Sequence, residues 1–141
     1  MREILFKAKN KYTDHKWEFG SLVYDAIGQP RIAQVDKSGK GLVFHKVIAE
    51  TVCQYTGLED KNKVKVFEGD KVEKYGRVYV IKWNNLHASW GLFRELGQSI
   101  YEIVCDTTDK YGNSPKGWRD STLLVVSNIH DKETSEIPIN Q

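Results

Sequence analysis

Residues 77–83 read Arg77-Val78-Tyr79-Val80-Ile81-Lys82-Trp83, and this stretch decides the fold class. Val78 and Val80 alternate with Tyr79, Ile81 and Trp83. That is the two-residue period of a strand, written in β-branched and aromatic residues that suit a pleated surface. The neighbouring segments repeat the pattern. Lys71-Val72-Glu73-Lys74-Tyr75 runs extended to Gly76 after a tight turn at Glu68-Gly69-Asp70, and Asn84-Asn85 offers a reversal because Asn tolerates positive φ. Trp90-Gly91-Leu92-Phe93 opens another strand, residues 99–104 alternate as a further one, and Leu123-Leu124-Val125-Val126 is a short apolar run of buried-strand type. Residues 107–120 form a long polar loop before that run.

Toward the N-terminus, residues 2–9 alternate. Ile4, Phe6 and Ala8 face one way and Glu3, Lys7 and Lys9 the other, which predicts a strand with one buried face. Asp14-His15-Lys16 reads as a hairpin turn and residues 17–24 as the returning strand, where Gly20 marks a bulge or a close backbone approach. Gly28-Gln29-Pro30 ends that hairpin, and residues 36–41 are a loop of turn formers. Residues 42–48 carry apolar groups on both faces, so they read as a strand buried on both sides. Residues 49–55 predict one helical turn, broken by Thr56-Gly57 and followed by a polar loop over 58–65. The sum is eight or nine short strands and at most one short helix: a mainly β fold, with an N-terminal β-hairpin region and a short-stranded, barrel-like (SH3-like) C-terminal part. The length suits one domain over residues 1–135, with sub-parts 1–60 and 64–130, and a frayed tail at 136–141.

Composition narrows the function classes. Of 141 residues, 40% are hydrophobic, and four Trp, seven Tyr and five Phe supply bulk for a packed core, which excludes a disordered chain. The net charge is +2, and Lys and Arg form no block or stripe, so composition gives nucleic-acid binding only faint support. The early charges in Met1-Arg2-Glu3-Ile4-Leu5-Phe6-Lys7 are unlike a signal peptide, and no apolar run reaches membrane-spanning length. These readings predict a cytoplasmic protein without a membrane partner, in which the two cysteines, Cys53 and Cys105, are free thiols.

No stretch spells out chemistry. His15, His45, His87 and His130 stand far apart, without the close ligand pairs of a zinc site, so no metal or other cofactor is expected. Cys53 has no sequence neighbour that would activate a thiol, and no G-x-S-x-G elbow or phosphate-binding glycine loop occurs. The carboxylate pairs Glu68/Asp70 and Glu59/Asp60 sit at apparent turns, where Asp usually bonds its own backbone. No catalytic residue and no small-molecule site is expected. Tyr75, Arg77, Tyr79, Lys82 and Trp83, then Trp90, Phe93 and Arg94, interleave aromatic with basic groups. They either fill a core or offer a surface on which bases stack, and Trp90, Phe93 and Arg94 are the candidate partner surface.

Residues 51–72 contain Thr51-Val52-Cys53-Gln54-Tyr55-Thr56-Gly57-Leu58-Glu59-Asp60, then Phe67-Glu68-Gly69-Asp70-Lys71-Val72. This resembles the T-V-x-Q-Y-T-G-L-x-D and [YF]-E-G-D-x-V signature of the YopX family of phage and prophage proteins. Arg2-Glu3-Ile4-Leu5-Phe6-Lys7-Ala8 is similar to the family's opening, Trp17 and Gly20 match its W-x-x-G, and Val126-Ser127-Asn128-Ile129 resembles its closing strand. There are two departures. The family's usual Asn-Gly-Lys is Asn62-Lys63-Val64, and its closing Gly is Ser127. The resemblance implies a self-associating protein in the cytoplasm of a host bacterium, but no reaction, because the family is a domain of unknown function. Its motif residues Trp17, Gly20, Gln54, Tyr55, Thr56, Gly57, Gly69 and Asp70 read as structural. The leading expectation is therefore a non-enzymatic homo-oligomeric interaction module. A nucleic-acid-binding accessory protein is the alternative, and a small hydrolase using Cys53 or a carboxylate pair is the third.

Overall fold

A computed structural model describes residues 3–86, 88–97, 100–106 and 123–131. His87, the polar loop read at 107–120 and the tail read at 136–141 lie outside the described residues. The fold is mainly β and the chain forms two compact units. The first is Met1–Glu59 with Lys65–Glu68, and the second is Asp60–Val64 with Gly69–Gln141. The boundary is interleaved, so the chain passes between the units three times within ten residues.

The first unit is a six-stranded antiparallel sheet built from β1 (Phe6–Lys9), β2 (Trp17–Tyr24), β3 (Pro30–Val35), β4 (Leu42–Lys46), β5 (Cys53–Glu59) and β6 (Lys65–Phe67), in the order β4-β3-β2-β1-β5-β6. Asn10 shapes the β1–β2 turn, its Oδ1 accepting from the amides of Tyr12 and Thr13 at 2.7 and 2.8 Å. Gly20 sits where an added Cβ would run into the carbonyl oxygen of Ala33, so the glycine reflects a close backbone approach within a regular ladder. Each face of the sheet carries its own apolar cluster. Ala8, Ile32 and Val47 with Phe6, Leu22 and Val52 form one, and Cys53, Tyr55 and Phe67 with Leu5 and Trp17 form the other.

Three sequence expectations change here. The first concerns Lys7, which the alternation placed on a solvent face and which is only 8% exposed. Its ammonium lies 4.4 Å from the Trp17 ring centroid and 4.8 Å from that of Phe67. Both faces of the sheet are covered at β1, so a two-residue period there does not separate core from water; cation–π attraction offsets part of the lost hydration. The second concerns residues 42–48, read as buried on both sides. β4 is instead the sheet's edge, with Leu42, Val43 and Phe44 all exposed. The third concerns residues 49–55. Only Ala49–Thr51 turns, as a 3-10 segment, and β5 begins at Cys53.

The second unit is a five-stranded antiparallel sheet of β7 (Asp70–Lys74), β8 (Arg77–Asn84), β9 (Ser89–Gly97), β10 (Ile100–Asp106) and β11 (Leu124–Asn128), ordered β10-β9-β8-β7-β11. The eight or nine strands expected are eleven among the described residues. Among the described residues the C-terminal part does not close into a barrel: β10 and β11 are its outer strands. Both carry register irregularities, between Ile103 and Cys105 and between Val125 and Ser127, and such bulges bend a strand and interrupt further pairing. Val72, Val80, Ile81, Leu92 and Leu123 are its buried apolar side chains.

Candidate functional site

The motif residues organise backbone. Thr51 Oγ1 donates to the Ile48 carbonyl (2.6 Å) and accepts from the Lys9 amide (2.8 Å), which pins the 3-10 turn to β1. Gln54 pairs with Phe6 across β1–β5, and its carbonyl accepts from the Glu68 amide (2.9 Å). Tyr55 packs against Phe67 with ring centroids 5.5 Å apart. Thr56 and Gly57 occupy the irregularity in the β5–β6 register. Thr56 Oγ1 donates to the Val66 carbonyl (2.8 Å), and Gly57 takes φ +88°, a value open to glycine and strained for L side chains. Trp17 stacks on Lys7 at one end of the same face.

In the second unit the carboxylates do similar work. Asp60 is 4% exposed; its Oδ1 accepts from the amides of Asn62 (2.7 Å) and Val64 (2.9 Å), and its Oδ2 from the amide of Val125 (3.0 Å). Asp70 Oδ1 accepts from Asn128 Nδ2 (2.9 Å). Gly69, at φ +83°, donates to the Ile81 carbonyl (2.7 Å) and accepts from the Ile129 amide (2.9 Å).

The groups considered for chemistry are spread apart. Cys53 is buried, with its thiol directed to the Thr51 carbonyl at 3.2 Å. His15 Nδ1 lies 3.0 Å from the Asn10 carbonyl oxygen. His45 joins a polar cluster on β1–β4. Its Nε2 is 2.9 Å from Gln34 Oε1 and its Nδ1 is 3.6 Å from the buried Glu18 carboxylate, which also accepts from Asn10 Nδ2 at 2.9 Å. This cluster ties β4 to the strands inside it and sets the register of the edge.

Two surfaces among the described residues stand out, and that edge is the first. Asp36 N donates to the Gly41 carbonyl, so 36/41 is a hydrogen-bonded pair and every second pair along β3–β4 follows suit. Val43 and His45 therefore spend their backbone groups on β3, while those of Leu42, Phe44 and Lys46 point outward. Beyond Phe44 the edge is taken: the Lys11 amide donates to the Lys46 carbonyl and the Ile48 amide to the Lys9 carbonyl, both at 2.9 Å, around an Asn10–Val47 bridge, so the open stretch is Leu42–Phe44. Leu42 is 61% exposed and Phe44 48%, and Val35 and Phe19 add exposed apolar groups on the same face.

The other is a groove of about 330 Å³ in the second unit, lined by Lys74, Tyr75, Arg77, Tyr79, Leu92 and Val104. Of the candidate partner surface, Trp90 and Arg94 share one face of β9, and Phe93 lies on the other. Trp90 packs edge-on to Trp83 with centroids 5.0 Å apart. Sequence reasoning missed β4 as a surface, since its two apolar faces look the same whether covered or bare. It named Tyr75, Arg77 and Tyr79 without Lys74, although a two-residue turn at Tyr75-Gly76 pairs Lys74 with Arg77.

Among the described residues no helix is long and apolar enough to cross a membrane. No curated protein matches the chain. A family model described as YopX protein matches residues 5–134, nearly the whole chain, and with the motif geometry above it places this chain in the YopX family.

Proposed function

We propose that this protein is a phage- or prophage-encoded accessory protein that works in the host bacterium's cytoplasm as a non-enzymatic interaction module, and that it self-associates through β4. The phage setting rests on the family resemblance of the central motif. The self-association rests on one observation: β4 ends its sheet with outward amides at Leu42 and Phe44 and three exposed apolar side chains. Natural sheets blunt their edges with bulges, prolines, short strands or inward charges. The opposite edge, β6, is only three residues long, whereas β4 has five, no proline and no bulge.

A second copy fits this edge because the edge is complementary to itself. An antiparallel two-fold centred on Val43 sets Leu42 opposite Phe44 of the other copy, twice, and completes four N–H···O=C bonds. So short a strand pair buries less than about 1,000 Å², so the dimer is concentration-dependent and roughly micromolar.

Sedimentation velocity across about 1–100 μM tests this. The expected result is a monomer–dimer shift, abolished in Phe44→Lys without change in melting temperature. Oxidised Val43→Cys gives a disulfide dimer, because residues facing each other at a non-hydrogen-bonded site sit about 4.5 Å apart at Cα. A strict monomer at every concentration, or a dimer indifferent to Phe44→Lys, overturns the reading.

A further inference from the structure

The second unit carries a surface of a different kind. We propose that the groove beside the β7–β8 turn binds single-stranded nucleic acid, one base stacking on the tyrosines while Lys74 and Arg77 hold the flanking phosphates. The proposal concerns the second unit alone and does not depend on pairing through β4.

The turn comes first. Lys74 pairs with Arg77, which leaves Tyr75 and Gly76 as the two central residues of a tight hairpin. Both have positive φ, +51° and +79°, the pattern of a type I′ turn. Such a turn favours Asn, Asp or Gly at its first central position. Tyrosine there is 79% exposed, and the Lys74 ammonium at 5.8 Å from its ring centroid is a weak offset to its poor backbone fit. A strained residue that displays a large ring to solvent points to a role outside folding.

The surroundings give that role its chemistry. Arg77 and Tyr79 alternate along β8 and so share a face, and their partners on β7, Lys74 and Val72, lie on it too. The groove on that face is walled by Lys74, Tyr75, Arg77 and Tyr79 and has Leu92 and Val104 as its apolar part. Its volume of about 330 Å³ lies at the small end of the range for ligand sites, which suits a single base better than a folded partner. Its described lining holds two cations, Lys74 and Arg77, and no carboxylate, which favours an anionic ligand. Two tyrosines and an apolar floor call for a planar ring as well as a charge. A single strand supplies both, because its bases are free to leave the stack; a duplex hides the ring faces, and an acidic peptide has the charge without the ring.

Fluorescence anisotropy on the full chain with labelled 15-mers of deoxythymidine and of uridine, against a 15-bp duplex, tests the site. Both single strands are expected to bind more tightly than the duplex. Two phosphate contacts give a slope of about −1.4 in log K against log salt, so raising salt fourfold weakens binding about sevenfold. Tyr75→Asn is the informative variant because Asn suits the turn. Its melting temperature should hold or rise while affinity falls at least about fivefold. Lys74→Ala with Arg77→Ala should flatten the salt slope. The Phe44→Lys monomer should bind as the parent does, which separates this site from the β4 proposal. No binding at low salt, equal binding of duplex, equal binding of a glutamate 15-mer, or a Tyr75→Asn affinity matching the parent each overturns it.

Discussion

In the first unit, the β2–β3 and β3–β4 turns put glycine at the left-handed position: Gly28 at φ +84° and Gly39 at +77°. In the second unit, the corresponding position of the Asp60–Val64 loop holds Lys63 at +63°, and the β7–β8 turn sets Tyr75 at +51° ahead of Gly76 at +79°. The β1–β2 turn falls between these cases, with Asp14 and His15 near +50°, since Asp and His visit that region more readily than Lys or Tyr. An aspartate caps loop amides in both units. Asp25 accepts from Ile27 and Gln29, Asp36 from Ser38, and Asp60 from Asn62 and Val64. The difference is burial: Asp60 also accepts from Val125, 65 residues away, and is shut off from water. The first unit thus has turns shaped for stability and an uncovered apolar edge. The second spends its strain at an exposed aromatic and makes one loop part of its interior.

The comparison can be broken most forcefully at the aspartates. Asp60→Ala strips the acceptor from three amides that have no water to turn to, at about 1–3 kcal/mol for each donor left bare. A net loss of about 3 kcal/mol or more in denaturant unfolding is expected, while Asp36→Ala, whose amides turn to solvent, shifts the midpoint little. Equal losses would erase the distinction between the two caps.

A smaller effect sharpens the contrast at the left-handed positions. Lys63→Gly relieves an L side chain of φ +63°, but it adds freedom to the unfolded chain. The expected net gain is about 0.5–1 kcal/mol, read as a rise of several degrees in melting temperature. Gly39→Ala should move the other way. A fall on Lys63→Gly would mean the lysine side chain repays its backbone.

The smallest effect is acid-dependent. The Gln29 amide, helped by the Ile27 amide and Arg31, holds the Asp25 carboxyl below its ordinary value. The Ser38 hydroxyl, helped by the Gly41, Lys40 and Ser38 amides, does the same for Asp36. A carboxyl whose folded value is depressed contributes stability above its unfolded value, near 3.9, and loses it as pH falls through the folded one. Melting curves from pH 6 to pH 2 should therefore drop less steeply below about pH 4 in an Asp25→Asn, Asp36→Asn double variant than in the parent. Parallel slopes would remove these turns from the acid response.

Much of the β architecture was legible because strand period and turn chemistry are local. The alternation of residues 77–83 fixed β8, but the reversal expected at Asn84-Asn85 comes later: Asn84 still pairs with Ser89, and the left-handed residue is Ala88 at φ +49°. Whether a strand lies inside or at the rim of a sheet is a matter of pairing between distant segments, and neither face of β4 records it. Lys7 was misplaced because its environment comes from Trp17 and Phe67, which lie ten and sixty residues away. The separation of Phe93 from Trp90 and Arg94, by contrast, was available from counting alone: residues an even number apart on a regular strand share a face. The left-handed Tyr75 had only the short Lys74-Tyr75-Gly76-Arg77 spacing as a signal.

The interleaved boundary also orders events in time. The six-stranded sheet is complete once Phe67 has been made, whereas the second sheet must wait for β11, which ends at Asn128 and lies beside β7. At ordinary rates of synthesis the interval is roughly 3–12 s, long compared with hairpin formation. During it, the Asp60 carboxylate stands in a half-built loop without its Val125 donor. On a ribosome, then, the first unit can mature while its neighbour is still an open chain, and β11, the last of the described strands to emerge, is the one that closes the loop lying between β5 and β6 in the sequence.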